Sequence, residues 1–562
     1  MKGNDFVEIV IYFLLLTAGG LAGGLYMARV LAPDAQSVLA TVESNILRLL
    51  RIQKKGMDAR EYLIAVLWFS LFSFLSVFLL MLAQNQLPLF PEKARLTASS
   101  DPVSVGLAFN TAMSFMTNTN WQAYSGESTL SYFVQMTGLT VQNFASAAVG
   151  MAVMLVMFRG FTRSETKDIG NFYADLFRIT FYVLLPASIL VAVFLSSQGV
   201  VQSFGAYAKA HTLEGAEQIV PLGPAASQIA IKQIGTNGGG FFGVNSSHPL
   251  ENPTPLSNFV EVYSILWLAA ACVFLYGKMT GSMGRAWTIY IAMSVLLVSG
   301  LIIAAYAESA YSFGSTAMEG KEVRFGIGDS VLWAIATTAA SNGSVNAMHD
   351  SMMPLTGAVE LFNMHLGEIV FGGVGSGMYG MLFYVILTVF LAGLMVGRTP
   401  EFSNKKIEKF EVQMAGLAIL GPGVAILFFT ATALLVKAGT ATLNNSGPHG
   451  FSEVLYAFTS ASANNGSAFA GLGVNNDFYN YALGACMLIG RFVCLIPAIL
   501  IGGSLALKKS VPESTGSFRT DTPVFVILLV FFILLIGGLT FLPALTMGPI
   551  VEHFVLKAGS LF

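Results

Sequence analysis

Ten apolar runs, each long enough to cross a bilayer, constrain this chain more than anything else in its sequence. A membrane-spanning helix needs about 20 apolar residues. Such runs lie at 6–29, 60–83, 129–158, 171–196, 255–278, 285–307, 366–397, 411–437, 477–506 and 522–546. Lipid offers no partner to a backbone N–H or C=O, so continuous runs of this length predict an all-α membrane protein. Of the 562 residues, 54% are hydrophobic and 11% charged, against about 25% charged in soluble domains, which leaves no room for a large soluble domain. A formal net charge of −2 gives no electrostatic footprint for nucleic acid. Cys272, Cys486 and Cys494 all fall in apolar segments and form neither a disulfide framework nor a metal-ligand spacing. They read as small buried hydrophobes. The first run opens on Asp5 and Glu8 instead of a basic region, so it reads as a retained helix and not a cleaved signal.

The connections alternate in charge. One set carries Arg48, Arg51, Lys54 and Lys55; Arg159, Arg163 and Lys167; Lys278 and Arg285; Arg398, Lys405, Lys406 and Lys409; and Lys508, Lys509 and Arg519. The other set is longer and poorer in Lys and Arg. The positive-inside rule makes the first set cytoplasmic and turns both termini outward. The run 366–397 holds Gly372, Gly373, Gly375, Gly377 and Gly380. Each costs a helix interior about 1 kcal/mol relative to Ala, so this run is expected to be interrupted. Such breaks survive at membrane depth only where protein or water satisfies the freed backbone, and in transporters they mark the ion path.

Four of the longer outer connections carry one small cluster each: Thr117-Asn118-Thr119-Asn120, Thr236-Asn237-Gly238-Gly239, Ser341-Asn342-Gly343-Ser344 and Asn464-Asn465-Gly466-Ser467. The second column is Asn throughout, at 118, 237, 342 and 465, and the third is Gly in all but the first cluster, which has Thr119. A single Asn-Gly pair is an ordinary turn. Four at matching places between matching spans predict a fourfold unit of span, short re-entrant helix, cluster and span. Spans two to nine make the four units. The expected organisation is an N-terminal helix and loop over 1–58, pore repeats at 59–160, 161–280, 281–400 and 401–510, and a C-terminal helix over 511–562. Such a unit suits a dehydrated cation, because rings of backbone carbonyls can replace its water. Glycine admits the backbone angles and the close approach this needs, Asn, Ser and Thr can hold the loop by side-chain hydrogen bonds to backbone, and the C-terminal end of each short helix favours positive charge. No carboxylate lies in the clusters, which argues against calcium or magnesium.

Longer stretches around these clusters carry a resemblance. Thr117-Asn-Thr-Asn-Trp-Gln-Ala-Tyr-Ser-Gly-Glu127, Gly235-Thr-Asn-Gly-Gly-Gly-Phe-Phe242, Gly397-Arg-Thr-Pro-Glu401 and Gly447-Pro-His-Gly-Phe-Ser-Glu453 closely resemble the KdpA family, the potassium-binding subunits of Kdp-type ATPases. The resemblance covers essentially the whole chain, and Thr119 fits that family's own first repeat. It implies a bacterial inner-membrane subunit related to the Trk and Ktr potassium transporters. It implies a potassium-channel-like selectivity filter built from the sixteen cluster residues, with Gln122 nearby, and a tunnel leading to a KdpB-like P-type ATPase subunit. A KdpC-like small subunit and a KdpF-like single-span peptide would complete the complex, among membrane lipids. Potassium is then the transported ligand, and ATP is used only by the partner.

Two intramembrane charges, Glu368 and Arg491, each follow the Asn of their cluster by 26 residues (342 to 368, 465 to 491). Equal offsets predict similar depth below the clusters. Charges at such depth are functional by default. An ion pair at a tunnel entrance and a pair that only ties two helices are both open readings. Other motifs carry little. Gly375-Ser-Gly377-Met-Tyr-Gly380 spells a dinucleotide fingerprint without the preceding strand it requires. Asn342-Gly-Ser344 and Asn465-Gly-Ser467 spell a glycosylation site that a filter cannot use, and Ser125-Gly-Glu-Ser128 matches an ATPase actuator motif with no catalytic domain around it. His248, His349 and His449 have no matched spacing and read as hydrogen-bonding side chains, not metal ligands. No phosphate-binding loop or Asp-Lys-Thr-Gly occurs, so uphill transport needs an energy-supplying partner. Against the pump subunit stands a self-sufficient Trk- or Ktr-type channel or secondary transporter; the extra first and tenth spans and the long motifs favour the former. An intramembrane hydrolase lacks any catalytic constellation.

Overall fold

A helix that ends among other protein segments must leave its last carbonyls to a partner, and four short helices here end around one centre. The computed structural model describes residues 3–31, 40–49, 52, 55–89, 103–310, 318–511 and 518–559; Arg51 and Lys54 of the basic set lie outside them. Among the described residues are ten helices long and apolar enough to cross a membrane: Asp5–Val30, Ala59–Gln86, Val134–Thr162, Phe172–Ser197, Pro255–Thr280, Met283–Ser309, Ser376–Val396, Lys409–Leu435, Asp477–Leu507 and Pro523–Lys557. These are spans 1 to 10. Several begin on caps that satisfy their first N–H groups. Ahead of span 2, Asp58 Oδ1 accepts from Glu61 N at 2.8 Å while Glu61 Oε2 accepts from Asp58 N at 3.1 Å.

Eight of the ten expected runs coincide with these helices to within a turn or so. Span 10 starts where expected but runs on past 546, through a kink at Gly548, to Lys557. The larger departure is 366–397. A helix over Pro354–His365 ends there, residues 366–375 are not helical, and span 7 begins only at Ser376. Gly372, Gly373 and Gly375 lie in the break, but Gly377 and Gly380 lie inside the helix. The break therefore starts earlier than the glycine run alone suggests. It begins at Leu366, with Gly367, Glu368 and Phe371 all at positive φ.

The short helices are Val105–Met116 between spans 2 and 3, Ala225–Ile234 between spans 4 and 5, Gly326–Ala339 between spans 6 and 7, and Gly447–Ala463 between spans 8 and 9. Each runs into one of the four clusters. Spans 1 and 10 stand outside these units. Span 3 is central, with 89% of its apolar window buried. Span 1 lies along span 5, where Gly20 and Gly24 let the backbones meet. A Cβ on Gly20 would sit 2.9 Å from Ala270 Cβ, and one on Gly24 would sit 2.7 Å from Ala271 O. Small residues at such a seam are what membrane helices use in place of a hydrophobic drive. Two two-stranded antiparallel ribbons, Ala208–His211 with Glu217–Val220 and Glu401–Phe402 with Lys405–Lys406, are small additions to the all-α framework.

Candidate cation site

The four clusters meet edge to edge and close a ring. A Cβ added to Gly343 would sit 2.7 Å from the Gly466 carbonyl carbon, and one on Gly239 would sit 2.6 Å from Asn120 O. A Cβ on Gly238 would overlap Gly343 N, and one on Gly466 would overlap Thr119 O. The third column thus runs Thr119, Gly238, Gly343, Gly466 and back to Thr119. Asn118 and Asn120, Thr236 and Gly238, and Asn464 and Gly466 all have positive φ, so in three of the clusters left-handed residues recur at every second position. Gly343 departs from the expectation that glycine supplies unusual angles: its φ is not positive, and what it supplies is room against Gly466.

The Asn column fastens the ring from behind. Asn118 Nδ2 donates to Thr236 O (3.2 Å), Asn342 Nδ2 to Lys232 O (3.3 Å), and Asn465 Nδ2 to Thr337 O (2.9 Å) and Ala340 O (3.0 Å). Each bond therefore reaches the end of a neighbouring unit's short helix or the cluster that follows it. Asn237 and Asn118 meet through their amides at 2.6 Å. The circle closes where Asn464 Nδ2 donates to Thr119 Oγ1 at 3.0 Å and Ser341 Oγ donates to Asn464 O at 2.7 Å. Ser344 N and Ser467 N donate to the Oδ1 of Asn342 (2.9 Å) and Asn465 (3.0 Å), the same local turn in two units.

Residues that sequence reasoning missed brace the loops. Trp333 Nε1 donates to Ser344 O at 2.9 Å, and the Tyr456 hydroxyl bonds Ser467 Oγ at 2.8 Å. Each ring precedes its serine by 11 residues (333 to 344, 456 to 467), an offset that would have found both. Behind the second cluster, Lys232 is wholly buried in an ion pair with wholly buried Glu251. Ser246 Oγ lies within hydrogen-bond distance of Glu251 (3.0 Å) and Glu261 (2.8 Å), bridging the two, and Gln233 carries the network onward. It donates to Glu261 at 2.9 Å and accepts from Asn342 Nδ2 (3.2 Å) and Ser344 Oγ (2.9 Å).

The ring separates two cavities. The outer one, about 410 Å³, is lined by Asn120, Gly343 and Gly466. Gln122 lines this outer cavity, beside the ring. It ties two clusters by exchanging 3.0 Å bonds with the N–H and C=O of Gly240. The inner cavity, about 60 Å³, is lined by Ser341, Asn464, Glu368 and Arg491. Both charges line this one cavity, but the ion pair is not formed: no Glu368–Arg491 contact falls within 4.0 Å. Arg491 donates to Ser146 O at 3.4 Å. Glu368 is 3% exposed, and neither carboxylate oxygen makes a well-aligned hydrogen bond, although the side chains of Ser341 and Asn465 lie close by. The break over 366–375 floors this cavity. Val374 N donates to Thr236 Oγ1 at 2.8 Å, and a Cβ on Gly373 would sit 2.7 Å from Ser341 Cβ.

Of His248, His349 and His449, the last is doubly held. Nδ1 bonds Glu552 at 2.8 Å and Nε2 bonds Asp350 at 2.9 Å. Burial alone would push its pKa down, but the bonds to the two carboxylates outweigh this and raise it to about 10. Asp350, His449 and Glu453 bring ligand atoms within 4.8 Å of one another, yet both imidazole nitrogens are already engaged, which keeps the hydrogen-bonding reading.

The sequence model of the family described as potassium-transporting ATPase A subunit matches residues 10–554. A potassium-transporting ATPase potassium-binding subunit of Leptospira interrogans is 54% identical over 507 residues, covering 89% of this chain and 90% of that one. Its counterpart in Herpetosiphon aurantiacus is 50% identical over 585 residues, covering 99% and 100%. Among solved structures, the potassium transporter TrkH of Vibrio parahaemolyticus has a TM-score of 0.52 at 15% identity, over 89% of this chain and 98% of that one. At that identity the likeness is one of fold.

Proposed function

The chain belongs to the potassium-transporting ATPase A subunit family, and from that premise we propose that the four-cluster ring is a selectivity filter that takes potassium from outside the cell and passes it to a P-type ATPase partner. The chain is the potassium-binding subunit of such a complex. The observation that carries the filter reading is the closed ring between two cavities. Recurrent left-handed residues let successive carbonyls turn toward one axis, where they can replace an ion's water. The four short helices end at this ring, and their C-terminal dipole ends favour a cation there.

The four units are the pore repeats, and the basic connections face the cytoplasm of a bacterial cell. Below the filter, the 366–375 break and the positive charge of Arg491 oppose free passage, so an ion leaves the inner cavity sideways through a tunnel toward the ATPase. KdpC-like and KdpF-like subunits complete the assembly. The sixteen cluster residues hold the ion, Gln122 shapes the outer mouth, and Glu368 sets the charge of the inner cavity.

The test is reconstitution with and without a P-type ATPase partner. With the partner, potassium should stimulate ATP hydrolysis, and Gly238→Asp should weaken that stimulation and admit sodium. Alone in liposomes, the chain should conduct no sustained potassium current. Channel-rate potassium flux from the chain alone would establish the self-sufficient transporter instead.

A further inference from the structure

A further cavity lies away from the ring and from the two cavities beside it. About 450 Å³ in volume, it lies where spans 1, 3 and 5 end together, on the face that carries the basic connections. Leu25 gives it an apolar wall, and Arg29, Arg159, Arg163 and Lys278 give it a cationic rim.

Not all four cations are free. Arg159 is bound by Asp175 through two bonds of 2.5 and 2.7 Å, and Arg163 by Asp168 at 2.9 Å. Arg29 and Lys278 are exposed, and neither makes a hydrogen bond or ion pair among the described residues. Among the described residues the cavity thus keeps two uncompensated positive charges at the depth where its three helices stop, which is where lipid headgroups lie. Helix C-termini carry partial negative charge, so the helix ends alone would repel an anion, and its attraction rests on Arg29 and Lys278. A free phosphate would find only exposed, salt-screened charges. A phospholipid would also lay an acyl chain against Leu25. Basic cavities between spans on the cytoplasmic side are suited to anionic headgroups.

We propose that the cavity edged by Arg29 and Lys278 is a binding site for the headgroup of an anionic phospholipid. A lipid seated there would hold spans 1, 3 and 5 together at their cytoplasmic ends.

The test uses the purified full chain in mixed micelles of phosphatidylcholine with added phosphatidylglycerol or cardiolipin. Native mass spectrometry reads retained lipid, and thermal unfolding reads stabilisation. Cardiolipin, with two phosphates against two free charges, should be retained best, phosphatidylglycerol next and phosphatidylcholine least. Arg29→Gln with Lys278→Gln should weaken retention on the order of tenfold or more, since juxtamembrane cations each add a few-fold to anionic-lipid affinity. Arg29→Lys with Lys278→Arg preserves the charge and should retain lipid as the wild type does, which separates lost binding from lost folding. Equal retention by the wild type and the neutralised variant overturns the proposal; a protein segment occupying the cavity would give that result. So does displacement of the lipid by inorganic phosphate at the same concentration, which would make the site one for a free anion.

Discussion

Replacing Gly238 and Gly343 separately with Ala should damage the ring unequally. Gly238 has a φ of +91°, and an added Cβ would overlap Gly343 N. Ala there meets two costs: about 1–2 kcal/mol for a left-handed backbone and about 1–3 kcal/mol for overpacking. Gly343 is not left-handed, and its Cβ would sit 2.7 Å from the Gly466 carbonyl carbon, so only the overpacking cost of about 1–3 kcal/mol applies. Gly238→Ala should therefore be the more disruptive by about 1–2 kcal/mol. The ring can relieve either clash by opening. Loss should then appear first in ion selection, as weaker potassium affinity and admission of sodium, and only second in unfolding temperature. Rubidium uptake with sodium competition, in the reconstituted complex, reads the first; thermal unfolding of the purified chain reads the second. The reasoning fails if Gly238→Ala keeps wild-type affinity and sodium rejection, or if Gly343→Ala proves the more severe change.

Arg491→Met should leave folding nearly intact, because its one hydrogen bond is long, at 3.4 Å, and worth less than about 2 kcal/mol. Passive potassium leak should rise on the order of tenfold for each 1.4 kcal/mol taken off the barrier, and Glu368→Gln combined with it should not restore the block if the charge of Arg491 acts on the ion; a tight seal in Arg491→Met would remove that role. Tyr456→Phe deletes the 2.8 Å bond to Ser467 and should cost about 1–3 kcal/mol in a buried site together with some potassium selectivity, read by thermal unfolding and sodium competition. His449 has a folded-state pKa raised from 6.5 to about 10, so the folded chain holds the extra proton across that window. Its contribution should be fully present below about pH 6.5 and lost as pH rises through the folded value. Thermal unfolding against pH should show this fall, and His449→Gln should flatten it.

Much of this was legible because the bilayer imposes a length. A run of about 20 apolar residues admits few other readings, and span 2 starts at Ala59 against an expected 60. The clusters were legible because repetition turns a common dipeptide into a pattern. The helix over Pro354–His365 was hidden, because Glu360, Asn363 and His365 make it too polar to pass for part of a span. The equal offsets of Glu368 and Arg491 pointed to the one cavity that both side chains line. Their pairing depends on where side chains point after the backbone breaks, and Glu368 itself has a positive φ of 51°. Lys232 gave no signal, since its partner Glu251 reads as an ordinary loop residue until folding brings it behind the second cluster. Trp333 and Tyr456 were within reach through their common offset of 11 but look like ordinary apolar helix residues.

The central claim is that the ion sits inside the ring, and its most direct measurement is the anomalous scattering of thallium, a potassium mimic, in crystals of the protein. The account predicts peaks on the axis bounded by Thr119, Gly238, Gly343 and Gly466, between the outer and inner cavities, weakened by excess potassium and not by sodium. Peaks confined to the Asp350–His449–Glu453 cluster or to the inner cavity beside Glu368, with none within the ring, would contradict it.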